Sequence, residues 1–486
     1  MRLLRADIQK YSSLTVHLAL PPPTSERRYI IQYPVIHWLN DDILLVVFNC
    51  YRLDDEYRWN YRFLWCKLSH VCQRWRYLIY ESAFHLGMQI TCTNGTPIVD
   101  TLDHLPPLPL FVNYTLTIPT EQDELGIYHA LRLHGRVRHI GLVLLPSIFH
   151  KVIRLMDEHF PALEHLSLTF SESATSKNSF PLILPKAFLA PNLRHLALPN
   201  ISPPRRLQLL TTTLSLVKLK FSEIQSSSYF RPRLLAARLS SLPQLEELSL
   251  SFSIPIPRPS TERELLGKKG APVILPSLKN LQFKGTGAYL EPLVAQIRAP
   301  LLEQLRITLF NQIAFAQPHL SYLINITEAF KLPCAVVGFD GNEVYVIMGR
   351  HAGWGPFQFH VKCNQLDWQI DCAAQICRSL IPALSGVELI RLMCFHKKIP
   401  TEWQNGAVDG STWHELLRSF IGVKELYIDK PLLEELSCAL QVDEVGSDPG
   451  FLHNLQSIGA ASNLFTSFID TRQVVGRPVQ FSQTAF

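Results

Sequence analysis

A short motif, P-x-L-x-x-L-x-apolar, returns along this chain and limits what it can become. It reads PALEHLSL from residue 161, PNLRHLAL from 191, PQLEELSL from 243, PSLKNLQF from 276 and PLLEQLRI from 300. Copies without the proline are VRHIGL at 137, LVKLKF at 216, VELIRL at 387 and VKELYI at 423. Leu163, Leu193, Leu216, Leu245, Leu278 and Leu302 mark the register, at steps of 30, 23, 29, 33 and 24 residues. The end of each unit alternates, so successive side chains point to opposite faces of a short strand. In the first copy Leu166 and Leu168 turn to a core, while His165, Ser167 and Thr169 turn outward. One unit cannot bury its own apolar face, so neighbours must stack.

Periods of this size with L-x-x-L-x-L point to leucine-rich repeats. The uneven steps predict unlike return segments, helical in some repeats and loops in others. Residues 325–349, NITEAFKLPCAVVGFDGNEVYVIMG, begin as a helix and continue as two β-rich runs around Asp340-Gly341-Asn342. That predicts a hairpin spliced into the array, with Asp340-Gly341-Asn342 as its turn rather than a calcium loop. The outward strand positions are His165, Ser167, His195, Lys218, Lys220, Glu247, Ser249, Asn280, Gln282, Gln304 and Arg306. On a concave solenoid face they are candidates for contact with a target protein, although for any single one of them a solvated surface residue is the better reading.

Residues 34–90 have a different period. In LNDDILLVVFNCY, Asn40 is a natural N-cap, and Asp41 and Asp42 suit the positive end of the helix dipole. Ile43, Leu44, Val47, Phe48 and Tyr51 form an apolar face. A polar, aromatic-rich insert follows, and a second helix is predicted over about 64–80. Within it Leu68, Val71, Cys72, Trp75, Leu78 and Ile79 recur at steps of three and four and share one face. This helical pair suits either the cap that a repeat array needs or a module that docks on another protein.

The order L-x-D-D-I-L-L-x-x-F, then W-x-x-L-x-x-V-C-x-x-W-R, resembles the F-box. Its residues here are Leu39, Asp41, Asp42, Ile43, Leu44, Leu45, Phe48, Trp65, Leu68, Val71, Cys72, Trp75 and Arg76. Residues 92–114 and the late FIDTRQVVGRPV, 468–479, look like segments of a large group of F-box proteins from mushroom-forming fungi. Two departures stand out: Leu39-Asn40 replaces the usual Leu-Pro, and the loop between the helices is long. Asn40 supplies the helix-starting role by capping but no ring contact to a partner. The resemblance implies a Skp1-like adaptor, and through it a cullin, bound by Leu39, Ile43, Leu44, Val47, Phe48, Trp65, Leu68, Val71, Cys72, Trp75 and Arg76. Trp75 is the expected anchor, since central interface aromatics commonly cost ~2 kcal/mol or more on truncation. The chain would then be the substrate-recognition subunit of a Skp1–cullin–F-box ubiquitin ligase, with no chemistry of its own. The alternative is a repeat scaffold for protein–protein interaction whose F-box has decayed.

Composition agrees with these readings. Hydrophobic residues make up 47% and charged residues 18% of 486, so there is ample core. The net charge of +5 is spread along the length, with no basic run interleaved with aromatics, and nucleic-acid binding is not expected. The ten cysteines form no C-x-x-C pair. They fit a reducing compartment, cytoplasmic or nuclear. His360, Cys363, Cys372 and Cys377 lie close in sequence but match no standard metal-ligand frame. No serine-hydrolase elbow, H-E-x-x-H or phosphate loop is present, and GKKG at 267–270 lacks the glycine and hydroxyl of one. Neither a cofactor nor an enzymatic activity is expected. No run of 18 apolar residues exists, so no membrane span is expected. The apolar run after Met1 is interrupted by Ser12, Ser13, Thr15 and His17, which argues against a secretory leader.

The expected protein is α/β. An extension, 1–33, precedes an F-box-like helical module, 34–90, and an adapter segment, 91–129. An irregular leucine-rich-repeat-like solenoid, 130–486, follows.

Overall fold

The structure, a computed structural model, describes residues 39–53, 64–83, 86–96, 98, 102, 107–115, 120–170, 185, 188–199, 209–225, 229–253, 272–310, 317–351, 355–363, 366–395, 410–441 and 452–483. The 1–33 extension and GKKG lie outside them. The chain divides into two compact units, 1–162 and 163–486.

The first unit opens with the helix Asp41–Leu53. Asn40 caps it: its Oδ1 accepts the Ile43 N–H at 2.8 Å, as its residue type foretells. The predicted single helix over 64–80 is corrected. Two helices, Leu64–Ser69 and Gln73–Glu81, flank a break at His70–Cys72. Cys72 is extended, at φ −158°, and its Sγ accepts the Trp75 N–H at 3.5 Å, so it starts a helix rather than continuing one. Arg76 Nε donates to the carbonyl of Ser69 at 3.0 Å and ties the end of the first helix to the second.

Three parallel strands follow, earlier than residue 130: β1 (Ile90–Cys92), β2 (Leu110–Tyr114) and β3 (Val137–Leu144). The helix Glu121–Arg132 lies between β2 and β3 in sequence, opened by a reciprocal capping box of Thr120 and Asp123. Asp123 Oδ1 also takes the Gly95 N–H at 2.8 Å, fixing the turn after β1 to this helix.

The second unit is the repeat array. Its first strands are β4 (His165–Phe170), β5 (His195–Pro199), β6 (Lys218–Ile224) and β7 (Glu247–Phe252). Short strands β8 (Val273–Ile274) and β10 (Ile297–Arg298) pair with each other. The array continues with β9 (Asn280–Gly285) and β11 (Gln304–Phe310). The expected hairpin is present as β12 (Cys334–Asp340) and β13 (Glu343–Gly349), joined by β14 (Phe357–Lys362). The last strands are β15 (Leu389–Cys394), β16 (Glu425–Ile428), β17 (Ser457–Ala460) and β18 (Gln480–Gln483). Neighbours run in the order β4-β5-β6-β7-β9-β11-β14-β13-β12-β15-β16-β17-β18. All of these pairs are parallel except β12–β13 and β13–β14. This is a leucine-rich-repeat-like ladder with one antiparallel excursion.

The motif's proline has a local job. In Ala190-Pro191-Asn192-Leu193 the Leu193 N–H bonds the Ala190 carbonyl at 3.1 Å. The same turn forms at Leu242–Leu245, Leu275–Leu278 and Ala299–Leu302. Proline at the second turn position has its φ preset. Copies without it keep the turn, as at Thr213–Leu216, Leu384–Val387 and Leu452–Leu455. The last of these marks a further repeat, LHNLQSIG, with His453 in the proline's place. The strands bury Leu166, Leu168, Leu196, Leu198, Leu219, Phe221, Leu248, Leu250, Leu281 and Phe283, all from alternate positions.

Candidate functional site

Two surfaces carry the predicted contact residues, one in each unit. In the first unit, the helix Asp41–Leu53 has two apolar stripes. Leu44 and Phe48 face inward, and Phe48 meets Trp75 edge-on with ring centroids 4.8 Å apart. Leu78 and Ile79 of the same helix as Trp75 are buried too. The second stripe, at i, i+3 and i+4, is Ile43, Val46 and Val47, which are 47%, 62% and 41% exposed. Cys50 continues it one turn on and is exposed. Val71, on the break between helices, is 58% exposed and Tyr77 is 68% exposed.

The sequence reading placed Val71 and Trp75 on one stripe; the break separates them, and Trp75 is core while Val71 is surface. Ile43 and Val47 likewise leave the inner face to Leu44 and Phe48. Leu68 and Cys72 are half-buried, Arg76 is exposed, and the Trp65 side chain lies outside the described residues. Val46 and Tyr77 were not foreseen. Arg74 was not foreseen either: it bonds Asp41 Oδ1 at 2.7 Å and the Leu39 carbonyl at 2.6 Å, bracing the start of the first helix.

In the second unit, strand register gathers the outward positions into rungs. The first is His165, His195, Lys218, Glu247, Asn280 and Gln304. The second is Ser167, Ala197, Lys220, Ser249, Gln282 and Arg306, continuing to Gln358 on β14. Lys220, Gln282, Gln304 and Arg306 are exposed; His165, Ser167, His195, Lys218, Glu247, Ser249 and Asn280 are half-buried. His165 and His195 meet edge-on at 4.0 Å between centroids. Desolvation, then the positive charge near it on His165, Lys218 and Arg194, pulls the His195 imidazole down to about 4. Lys218 pairs with Glu247 at 2.6 Å. Glu223, at φ +55° beside the irregularity in β6, reaches Lys284 at 2.9 Å.

The hairpin changes this face. Tyr345, Ile347 and Val336 stand on its outward positions with Met393, and form a small apolar cluster away from the main core. Tyr345 lies over Gly338, where a Cβ would come 1.9 Å from the ring. His360 bonds Glu343 at 3.3 Å on the same face and holds that carboxyl below its ordinary range. Cys363, Cys372 and Cys377 are buried. Among the described residues no group of three or more His, Cys, Asp or Glu side chains could hold a metal ion. Asn325 is engaged structurally: its Nδ2 donates to the Ser379 carbonyl and its Oδ1 accepts the Ala383 N–H.

No family model matches this chain, and no curated protein matches it. Among solved structures, the leucine-rich repeat-containing protein LegL7 from Legionella pneumophila is similar over 81% of this chain and 99% of its own. The identity is 15% and the TM-score 0.26. The repeat fold of the second unit is carried by its own strand ladder.

Proposed function

We propose that this chain is the target-recognising subunit of a Skp1–cullin–F-box ubiquitin ligase. The observation that carries the reading is the second apolar stripe of the first helix. Among the described residues of these helices, Leu44, Phe48, Trp75, Leu78 and Ile79 are the buried apolar side chains, whereas Ile43, Val46 and Val47 stand exposed. Fully burying an aliphatic side chain of this size is worth ~1.5–3 kcal/mol, so leaving three in water suits a surface that a partner covers. The F-box-like residue order names the adaptor as that partner. The ladder of the second unit then offers its outer face to a target, and proximity to a charged ubiquitin-conjugating enzyme supplies the catalytic gain.

The test is co-expression with a fungal Skp1-class adaptor, followed by pull-down and size-exclusion chromatography. Wild type is expected to form a stable complex. Val47→Asp is expected to abolish it with an unchanged melting temperature. A well-folded wild type that forms no complex would leave the repeat scaffold without a ligase role as the better reading.

A further inference from the structure

We propose that Cys363 and Cys372 form a peroxide-sensitive thiol pair, whose disulfide fastens the β12–β13 hairpin to the helix packed against it. The site stands apart from the ligase reading. Cys363 follows the last residue of β14, and Cys372 lies in the helix Leu366–Ser379, which packs on β12 and β13. Gln369 brings the two cysteines together. Its Nε2 donates to the Cys363 carbonyl at 2.7 Å, and Cys372 comes one helical turn later on the same face. The two thiols share a hydrogen bond. The same Gln369 Nε2 donates to the Asp340 carbonyl at 2.7 Å, and the Cys363 N–H bonds the Asn342 carbonyl at 2.9 Å. Both of these contacts land on the hairpin turn, next to Glu343 on the outer face.

The pair is asymmetric. The bond to Cys363, then burial, holds the Cys372 thiol in its neutral form, so Cys372 donates and the Cys363 sulfur accepts. A thiolate formed at Cys363 keeps that donor, whereas one formed at Cys372 gives it up. Cys363 is therefore the attacking sulfur and Cys372 the resolving one. They are 7% and 3% exposed, which shuts out a bulky disulfide oxidant and favours hydrogen peroxide, a neutral molecule little larger than water. The Cys363 sulfur attacks one peroxide oxygen and the O–O bond breaks. The departing hydroxide takes up the proton that Cys363 released and leaves as water. The Cys372 sulfur then attacks the sulfenic sulfur, the S–O bond breaks, and hydroxide leaves with the Cys372 proton as a second water. Two thiols and one peroxide have become one disulfide and two waters. Cys377 is the internal comparison: it sits buried in the same helix, and burial alone pushes its thiol up.

The test exposes the purified full chain to hydrogen peroxide, quenches with catalase, unfolds it in N-ethylmaleimide and digests it without reduction. Mass spectrometry with fragmentation is expected to show Cys363 joined to Cys372 and N-ethylmaleimide on Cys377. The pair is expected to lose its thiols about tenfold or more faster than Cys377. Oxidised glutathione in place of peroxide is expected to leave the pair reduced. In Cys372→Ser, dimedone should trap a sulfenic acid on Cys363; in Cys363→Ser it should trap none on Cys372. Amide exchange at residues 340–343 of oxidised wild type is expected to slow. Melting curves show whether the two serine variants are folded, and the wild-type crosslink and exchange stand without them. Oxidation of the pair no faster than that of Cys377, a bond from either cysteine to a different one, dimedone on Cys372 rather than Cys363, or unchanged exchange at the turn would overturn the proposal.

Discussion

His195 shows how a rung position acquires a chemical character that its residue type does not have alone. Its imidazole resists protonation because burial and nearby cations disfavour the charged form. The sign follows: between about 6.5 and about 4 the unfolded chain binds the proton more readily than the folded one. Stability is therefore unaffected above that window and falls as pH drops through it. Thermal melts at pH 7 and pH 5 should show a loss for wild type that is smaller in His195→Gln; an equal loss would assign it to other groups. Gly338 is a second residue-scale case. Gly338→Ala drives a methyl into the Tyr345 ring and is expected to cost ~1–3 kcal/mol. In a Tyr345→Ala background the same change should cost much less, and denaturant unfolding of the four-variant cycle measures the difference. An additive result would mean the ring can move aside.

At the scale of elements, the repeat separates its stabilising parts. Pro243 presets one backbone angle of the Leu242–Leu245 turn, and copies without proline still make the turn. Pro243→Ala should therefore cost only ~0.4–1 kcal/mol, mainly through a freer unfolded chain. Leu245, the last residue of the same turn, is buried, and Leu245→Ala should cost ~2–5 kcal/mol. Chemical denaturation ranks them; equal costs would contradict this division. The helical module follows the same logic. Trp75→Ala removes a core ring and is expected to cost ~3–5 kcal/mol, so any loss of partner binding in that variant reports unfolding first. Val46 and Val47 report the surface. The helix break at Cys72 was hard to read because Val71, Trp75, Leu78 and Ile79 keep helical spacing across it. Periodicity cannot see that a cysteine sulfur has taken over the capping of the Trp75 N–H.

For the whole molecule, the division at residue 162 predicts that damage stays local. Amide hydrogen exchange of Trp75→Ala should show lost protection in 41–81 and unchanged protection in β4 to β11. Lost protection throughout would mean that the chain unfolds as one cooperative body.

The sequence by itself determined the parallel ladder and the parity of its strands. Leu at alternate positions, repeated at steps near 30 residues, leaves stacking as the way to bury them, and Leu166, Leu196, Leu219, Leu248 and Leu281 do stand in one buried row. It also determined the Asn40 cap and the Asp340–Glu343 turn, because both are set by residues a few positions apart. Only the tertiary structure decided which apolar residues remain outside. Ile43 and Leu44 are chemically alike and adjacent, and what separates them is the position of Trp75 across the module. Only tertiary structure, likewise, could place Lys220 beside Ser249 and that beside Gln282 and Arg306. Charge on a face is summed over strands some 30 residues apart, and that sum exists only once the register is fixed.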